Sequence, residues 1–200
     1  MKKMIKESFG KVILGFNKKA RSLYISVLKI SNKSDYKRWS NTESLFSAWD
    51  ERTKLLSENI LPDSTVFEFG AAKLVLKTYL PENCKYLHSD IVSRDKDTIV
   101  IDLNKELPVL PQSDYTVFSG VLEYVNDVEN VLAHCSGFTN VILFSYATVD
   151  VFSNIETRRF NGWVSDLSQK DIEKIALKLQ MELKVITHWK SQTLYMMTKK

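Results

Sequence analysis

The sequence predicts an α/β protein built on a seven-stranded, mostly parallel, doubly wound sheet that ends in an antiparallel hairpin. Three observations carry this expectation. Strand-like and helix-like segments alternate from residue 65 onward, the pattern of a parallel sheet with helices on its faces. The first strand runs through Gly70 straight into residues 71–77, a run of helix formers. The last two strands are separated only by Lys190-Ser191, short enough for a hairpin.

The chain has 200 residues, 44% hydrophobic and 11% aromatic, enough for one compact domain with a small appendage and too apolar for wholesale disorder. Cys84 and Cys135 lack the CxxC spacing of zinc or redox sites, so both are expected as reduced thiols in a cytoplasmic protein. Near the N-terminus the longest apolar run covers only residues 12–16, whereas a membrane-spanning helix needs about 20. Lys11 also interrupts any signal-peptide core.

Charge is unevenly placed. Residues 1–38 hold eleven Lys or Arg against Glu7 and Asp35, a net of +9, which leaves −5 on the other 162 residues of a chain at +4 overall. Residues 1–43 therefore read as a basic helical arm, and residues 44–200 as the main domain. Ile5, Phe9, Val12, Ile13, Phe16, Ala20, Leu23, Tyr24 and Val27 form an apolar stripe at helical spacing, with glycines at 10 and 15 as weak points. Three roles suit such an arm. The stripe packs on the core with its lysines in water, or it lies on an anionic membrane surface as a peripheral anchor, or it covers the site or contacts a partner. Nucleic acid is not favoured, because the body is acidic and no nucleic-acid module is visible.

A helical segment spanning residues 44–60 precedes Leu61-Pro62-Asp63-Ser64, which turns the chain into a first strand at residues 65–69. Further strands are expected at 85–89, 97–101, 115–119, 140–146, 182–189 and 192–198. A helix is expected near residues 128–135. Another starts at Ser168, with Asp171 completing a capping box and Ile172, Ile175, Ala176 and Leu179 on one face.

Several stretches on these elements resemble class I S-adenosylmethionine-dependent methyltransferases. Val66-Phe67-Glu68-Phe69-Gly70-Ala71-Ala72 resembles the acid-then-glycine turn after the first strand, and the terminal hairpin is similar to that family's antiparallel seventh strand. Tyr86-Leu87-His88-Ser89-Asp90 resembles the segment whose terminal acid holds the ribose hydroxyls. Val100-Ile101-Asp102-Leu103-Asn104 resembles the one whose acid lies near the adenine. Residues 118–125 resemble the stretch that lines the cofactor with backbone. The resemblance covers roughly residues 44–200 and implies S-adenosylmethionine as cofactor, with Glu68, Gly70, Ala72, Asp90, Asp102, Gly120 and Val121 around it. The family usually has glycine at three alternating turn positions, which here are Gly70, Ala72 and Leu74. The bulk of Leu74 is thus expected where the methionine moiety would lie.

The acids at strand ends also make sense without the resemblance, since ligands of open α/β sheets bind beyond the carboxyl ends of the strands, and glycine at the first turn lets backbone approach a ligand. A dinucleotide-binding dehydrogenase would need GxGxxG, of which only Gly70 is present. Methyl transfer needs positioning more than a fixed constellation. Glu123 and Tyr146 are the candidate catalytic residues, and Tyr124, Arg158, Arg159 and Trp163 the candidate acceptor-binding ones. The arginine pair in a loop suits an anionic group, and Trp163 suits a sugar or base. With the basic arm, these suggest a small or lipid-linked, saccharide-type acceptor. An alternative is a catalytically weak or inactive interaction module on the same fold. His88, His134 and His188 have no partners at metal spacing and read as structural, and no GxSxG or P-loop occurs.

Overall fold

The computed structural model describes residues 17–200. Seven strands, β1 (Thr65–Phe69), β2 (Lys85–Asp90), β3 (Ile99–Val100), β4 (Ser113–Phe118), β5 (Thr139–Tyr146), β6 (Met181–Trp189) and β7 (Gln192–Lys199), form one sheet in the order β3-β2-β1-β4-β5-β7-β6. The first five are parallel, and β7 runs antiparallel to both β5 and β6. The terminal hairpin closes across Lys190-Ser191, with Trp189 opposite Gln192.

Alternation along the strands sends successive side chains to opposite faces. One face carries Phe67, Phe69, Phe118 and Phe144, packed under α4 (Val128–Ser136) and α6 (Gln169–Lys178) through Val131, Leu132, Ile172 and Ile175. The other carries Val66, Val117, Leu143 and Leu194 with Leu56 of α3 (Asp50–Ser57). Ser168 caps α6 in a reciprocal box with Asp171, as the spacing predicts.

Local backbone chemistry overrides three expectations. Residues 71–77 do not form an α-helix, because Ala72 and Leu74 sit at φ 49° and 58°, the left-handed region; only a short 3₁₀ turn, Leu76–Thr78, follows. The third strand shrinks to Ile99–Val100, since Asp95 draws the Asp97 N–H and the Thr98 hydroxyl into a turn just before it. The expected helix at 44–60 divides into a 3₁₀ turn, Ser47–Trp49, followed by α3.

The arm forms a helix over residues 17–30 (α1), followed by the short α2 (Tyr36–Ser40). The part of its apolar stripe from Ile5 to Phe16 lies outside the described residues. The rest faces away from the body: Leu23 is 68% exposed and Val27 54%, and Ile30 at 86% extends the same face. Packing of that stripe on the core is therefore corrected. The inward face combines Ile25, fully buried, with polar anchors. Arg21 pairs with Asp35, Lys29 with Asp166 at 2.8 Å, and the Lys18 Nζ donates to the Thr157 hydroxyl at 3.0 Å.

Candidate active site

The strand order reverses between β1 and β4, and a cavity of about 160 Å³ opens beyond the carboxyl ends of these strands. That is roughly ten times the space a single water needs. Its floor comes from the loops after β1, β2 and β4. Its cover comes from the segment 25–49, including Ile25, Leu28, Trp39, Phe46 and Trp49.

The loop after β1 keeps the conformation of three alternating glycines with only one glycine present. Gly70, Ala72 and Leu74 are left-handed, at φ 66°, 49° and 58°. Holding two non-glycine residues there costs about 1–2 kcal/mol each. The N–H groups of this loop go to separate acceptors, Ala71 to the Ser89 carbonyl at 3.0 Å and Leu74 to the Ala71 carbonyl at 2.7 Å. The Ala72 N–H donates to Asp90 Oδ2 at 2.9 Å, whereas the Lys73 N–H has no partner among the described residues. Glycine is required at the first position, because a Cβ on Gly70 would fall 2.6 Å from Val121 Cγ2. Leu74 does not line the cavity although its neighbours Lys73 and Val75 do, so the crowding expected from its side chain is corrected.

Asp90 closes β2 and is held by three donors: Ala72 N–H, Val92 N–H at 3.4 Å and Arg94 Nη2 at 3.1 Å. Arg94 also donates to the Trp39 carbonyl at 2.6 Å, which ties Asp90 to the cover. Its Nε is buried without a partner. Asp102 accepts from the Ser34 hydroxyl at 2.5 Å and the Asn104 N–H at 3.0 Å. Glu68 lies under the loop, and burial pushes its carboxyl up to about 8 against the opposing hydrogen bond from the Tyr86 hydroxyl. It is therefore largely protonated at neutral pH.

After β4, Gly120 is left-handed at φ 69°, and a Cβ there would meet the Arg52 guanidinium at 2.3 Å. Arg52 is buried and donates to Ser119 Oγ, the Ser119 carbonyl and Gln192 Oε1. Tyr124 lines the cavity edge-on to Trp39 at 4.7 Å and accepts from Trp163 Nε1 at 3.2 Å; burial raises its phenol.

All seven residues expected around a cofactor, Glu68, Gly70, Ala72, Asp90, Asp102, Gly120 and Val121, line this one cavity, and so does Tyr124. Glu123, Tyr146, Arg158, Arg159 and Trp163 do not. Glu123 is fully buried, with Oε1 accepting from the Ala147 N–H and Gln192 Nε2. Tyr146 is equally buried, its hydroxyl bonded to Ser165 and to the Leu167 N–H. Arg158 and Arg159 turn inward because Asp166 and nearby carbonyls need donors. The cavity wall thus includes neither the catalytic candidates Glu123 and Tyr146 nor, of the acceptor-binding candidates, Arg158, Arg159 and Trp163. The residues that sequence reasoning missed are Arg94, Arg52, Asp50 and the aromatic side chains of the cover. Only Arg94 had a signal, an i+4 spacing from Asp90.

No protein-family model matches the sequence, and no curated protein matches it significantly. Solved structures do resemble it in fold. The N-terminal domain of EvdMO1, crystallised with S-adenosylhomocysteine and D-fucose, is 12% identical with a TM-score of 0.56, over 78% of this chain and 85% of that one. The Burkholderia thailandensis 1,6-didemethyltoxoflavin-N1-methyltransferase, crystallised with its acceptor and S-adenosylhomocysteine, is 12% identical with a TM-score of 0.57, over 88% and 89%. This chain carries the class I methyltransferase fold. Against CalO1, a methyltransferase of calicheamicin biosynthesis with S-adenosylhomocysteine bound, it is 13% identical with a TM-score of 0.56. That match covers 76% of this chain and 54% of CalO1, so this chain spans about half of that longer protein. The seven-stranded sheet with its terminal antiparallel hairpin thus belongs to a recurring fold.

Proposed function

We propose that this chain transfers a methyl group from S-adenosylmethionine to a small-molecule acceptor, with residues 1–43 as an arm on a catalytic domain of residues 44–200. The observation that carries the reading is the convergence of the left-handed loop at 70–74 with Asp90, Asp102, Gly120 and Val121 on one cavity. The donors and acceptors suit the cofactor. The Lys73 N–H, without a partner among the described residues and on the cavity wall, suits the methionine carboxylate. A carboxylate offers about four acceptor positions, and Asp90 uses three at most, so a ribose hydroxyl shares it with Arg94. When bound, the cofactor supplies an electrophilic methyl on its sulfonium. The protein's part is alignment and exclusion of water by the cover.

Calorimetric titration with S-adenosylmethionine and S-adenosylhomocysteine, with NAD as control, tests this. Micromolar binding of the first two alone is expected, and Asp90→Ala is expected to weaken it at least tenfold, about 1.4 kcal/mol. Binding of none of them would replace the enzyme reading by the interaction module.

A second property is favoured by the outward face of α1. Leu23, Val27 and Ile30 stand exposed on a segment of strongly positive charge. We infer that this face rests on an anionic membrane surface, each basic residue contributing about 1 kcal/mol near the headgroups. No described helix is long and apolar enough to cross a membrane. The full chain is expected to sediment with phosphatidylglycerol vesicles and not with phosphatidylcholine ones, and replacing Leu23, Val27 and Ile30 by Ser is expected to abolish this. Equal sedimentation of that variant would remove the membrane role. A lipid-linked, saccharide-type acceptor then keeps support from the arm alone, since Arg158 and Arg159 are engaged by Asp166.

A further inference from the structure

The chemistry of the cavity wall narrows the acceptor. Trp39 and Tyr124 form one edge-to-face pair at 4.7 Å, and Phe46 and Trp49 another at 5.2 Å; all four line the cavity. Three of them come from the cover. Phe46 remains 56% exposed, a large apolar ring at the site with little protein against it.

Four of the five carboxylates of the same wall are engaged. Asp35 pairs with Arg21, Asp90 with Arg94, and Asp102 holds Ser34 and Asn104. Glu68, raised by burial, holds Tyr86. Arg52 has all its nitrogens on Ser119 and Gln192. Among these carboxylates Asp50 is the exception: it lines the cavity half-buried at the first turn of α3, directly after Trp49, and has neither an ion pair nor a side-chain hydrogen bond among the described residues. Its neighbour Glu51 accepts from Trp189 Nε1 at 2.8 Å instead.

The wall thus offers one free carboxylate among aromatic rings, with the side chains of Lys33 and Lys73 also without an ion pair or hydrogen bond among the described residues. We propose that the acceptor is a flat aromatic molecule bearing an N–H or O–H donor, its ring against Phe46 and Trp49 and its donor on the Asp50 carboxylate. The proposal rests on the methyl-transfer reading and specifies its acceptor side. Asp50 acts here as a binding residue that selects donors over acceptors.

The test uses the full chain and direct binding. Tyramine and 1,4-dihydroxynaphthalene serve as aromatic donors, and D-fucose and cyclohexanol as controls, all followed by calorimetry and tryptophan quenching with and without S-adenosylhomocysteine. The aromatic pair is expected to bind and the controls to bind at least tenfold more weakly. Asp50→Asn, which keeps the shape of the side chain, and Trp49→Ala are each expected to weaken the aromatic ligands at least tenfold while S-adenosylhomocysteine binds within twofold of the unaltered chain. Aromatic affinity no better than that of D-fucose, or unchanged in Asp50→Asn, overturns the acceptor class and leaves methyl transfer standing. Aromatic binding with no S-adenosylhomocysteine binding overturns methyl transfer and, with it, the acceptor role of the ring site.

Discussion

Arg158→Met is expected to lower the unfolding free energy by about 3–5 kcal/mol. Arg158 lies in α5 (Ile155–Phe160) with no solvent exposure. Its Nε pairs with Asp166 at 3.0 Å, Nη1 donates to the Ala147 carbonyl at 2.6 Å, Nη2 donates to the Ser165 carbonyl at 2.7 Å, and the guanidinium lies 5.1 Å from the centre of the Trp163 ring. Methionine fills much of the volume and leaves the carbonyls of residues 147 and 165 without donors in a dry environment. Lysine is not expected to rescue, because a single ammonium cannot span three acceptors held in a planar fork. Urea unfolding with tryptophan fluorescence reads the effect; a loss below about 1 kcal/mol for the methionine variant would show that these carbonyls find other donors.

Glu68→Gln is expected to stabilise the protein at pH 8 and leave it nearly unchanged at pH 5. Burial raises the Glu68 carboxyl from 4.5 to about 8, with the Tyr86 hydrogen bond acting in the opposite direction. The folded chain thus binds this proton more tightly than the unfolded chain does. Its contribution is full below pH 4.5 and declines as the pH rises to about 8. At about 1.4 kcal/mol per pH unit the decline amounts to several kcal/mol across that window. Glutamine keeps an oxygen to accept from Tyr86 and has nothing to titrate. Unfolding curves at pH 5, 6.5 and 8 should therefore converge at the acid end and separate at the alkaline end. Parallel curves would mean that Glu68 ionises normally inside the fold.

The sequence was most legible where a local rule and the global topology agree. Thr65–Phe69 is found as expected because a β-branched and aromatic run is bounded by Pro62-Asp63 and Gly70, and the terminal hairpin because two residues leave the chain no alternative. The acids at the ends of β2 and β3 reach the cavity through the geometry of parallel sheets, which places strand ends together whatever the loops do. Propensity failed at Ala72 and Leu74, where a left-handed backbone takes the place of the helix that good helix formers favour. Arg158 and Arg159 were misread because an arginine's destination depends on unpaired carbonyls that only the folded chain reveals. The cover was illegible for a related reason: residues 31–49 have no periodic pattern, and their aromatic side chains find the cavity only once α1 has docked.

Docking of α1 is itself a long-range event, since Lys29 and Asp166 are 137 residues apart. The helix meets the body through the part-exposed Lys29–Asp166 pair, worth at most about 1 kcal/mol, the Lys18 hydrogen bond to Thr157 and the fully buried Ile25, whereas the Arg21–Asp35 pair lies within the arm. The sheet beneath is held by the interdigitated rings of Phe67, Phe69, Phe118 and Phe144. The roof of the cavity is expected to open at lower free energy than its floor, so that its amide hydrogens exchange before those of the strands, and added salt is expected to speed that exchange.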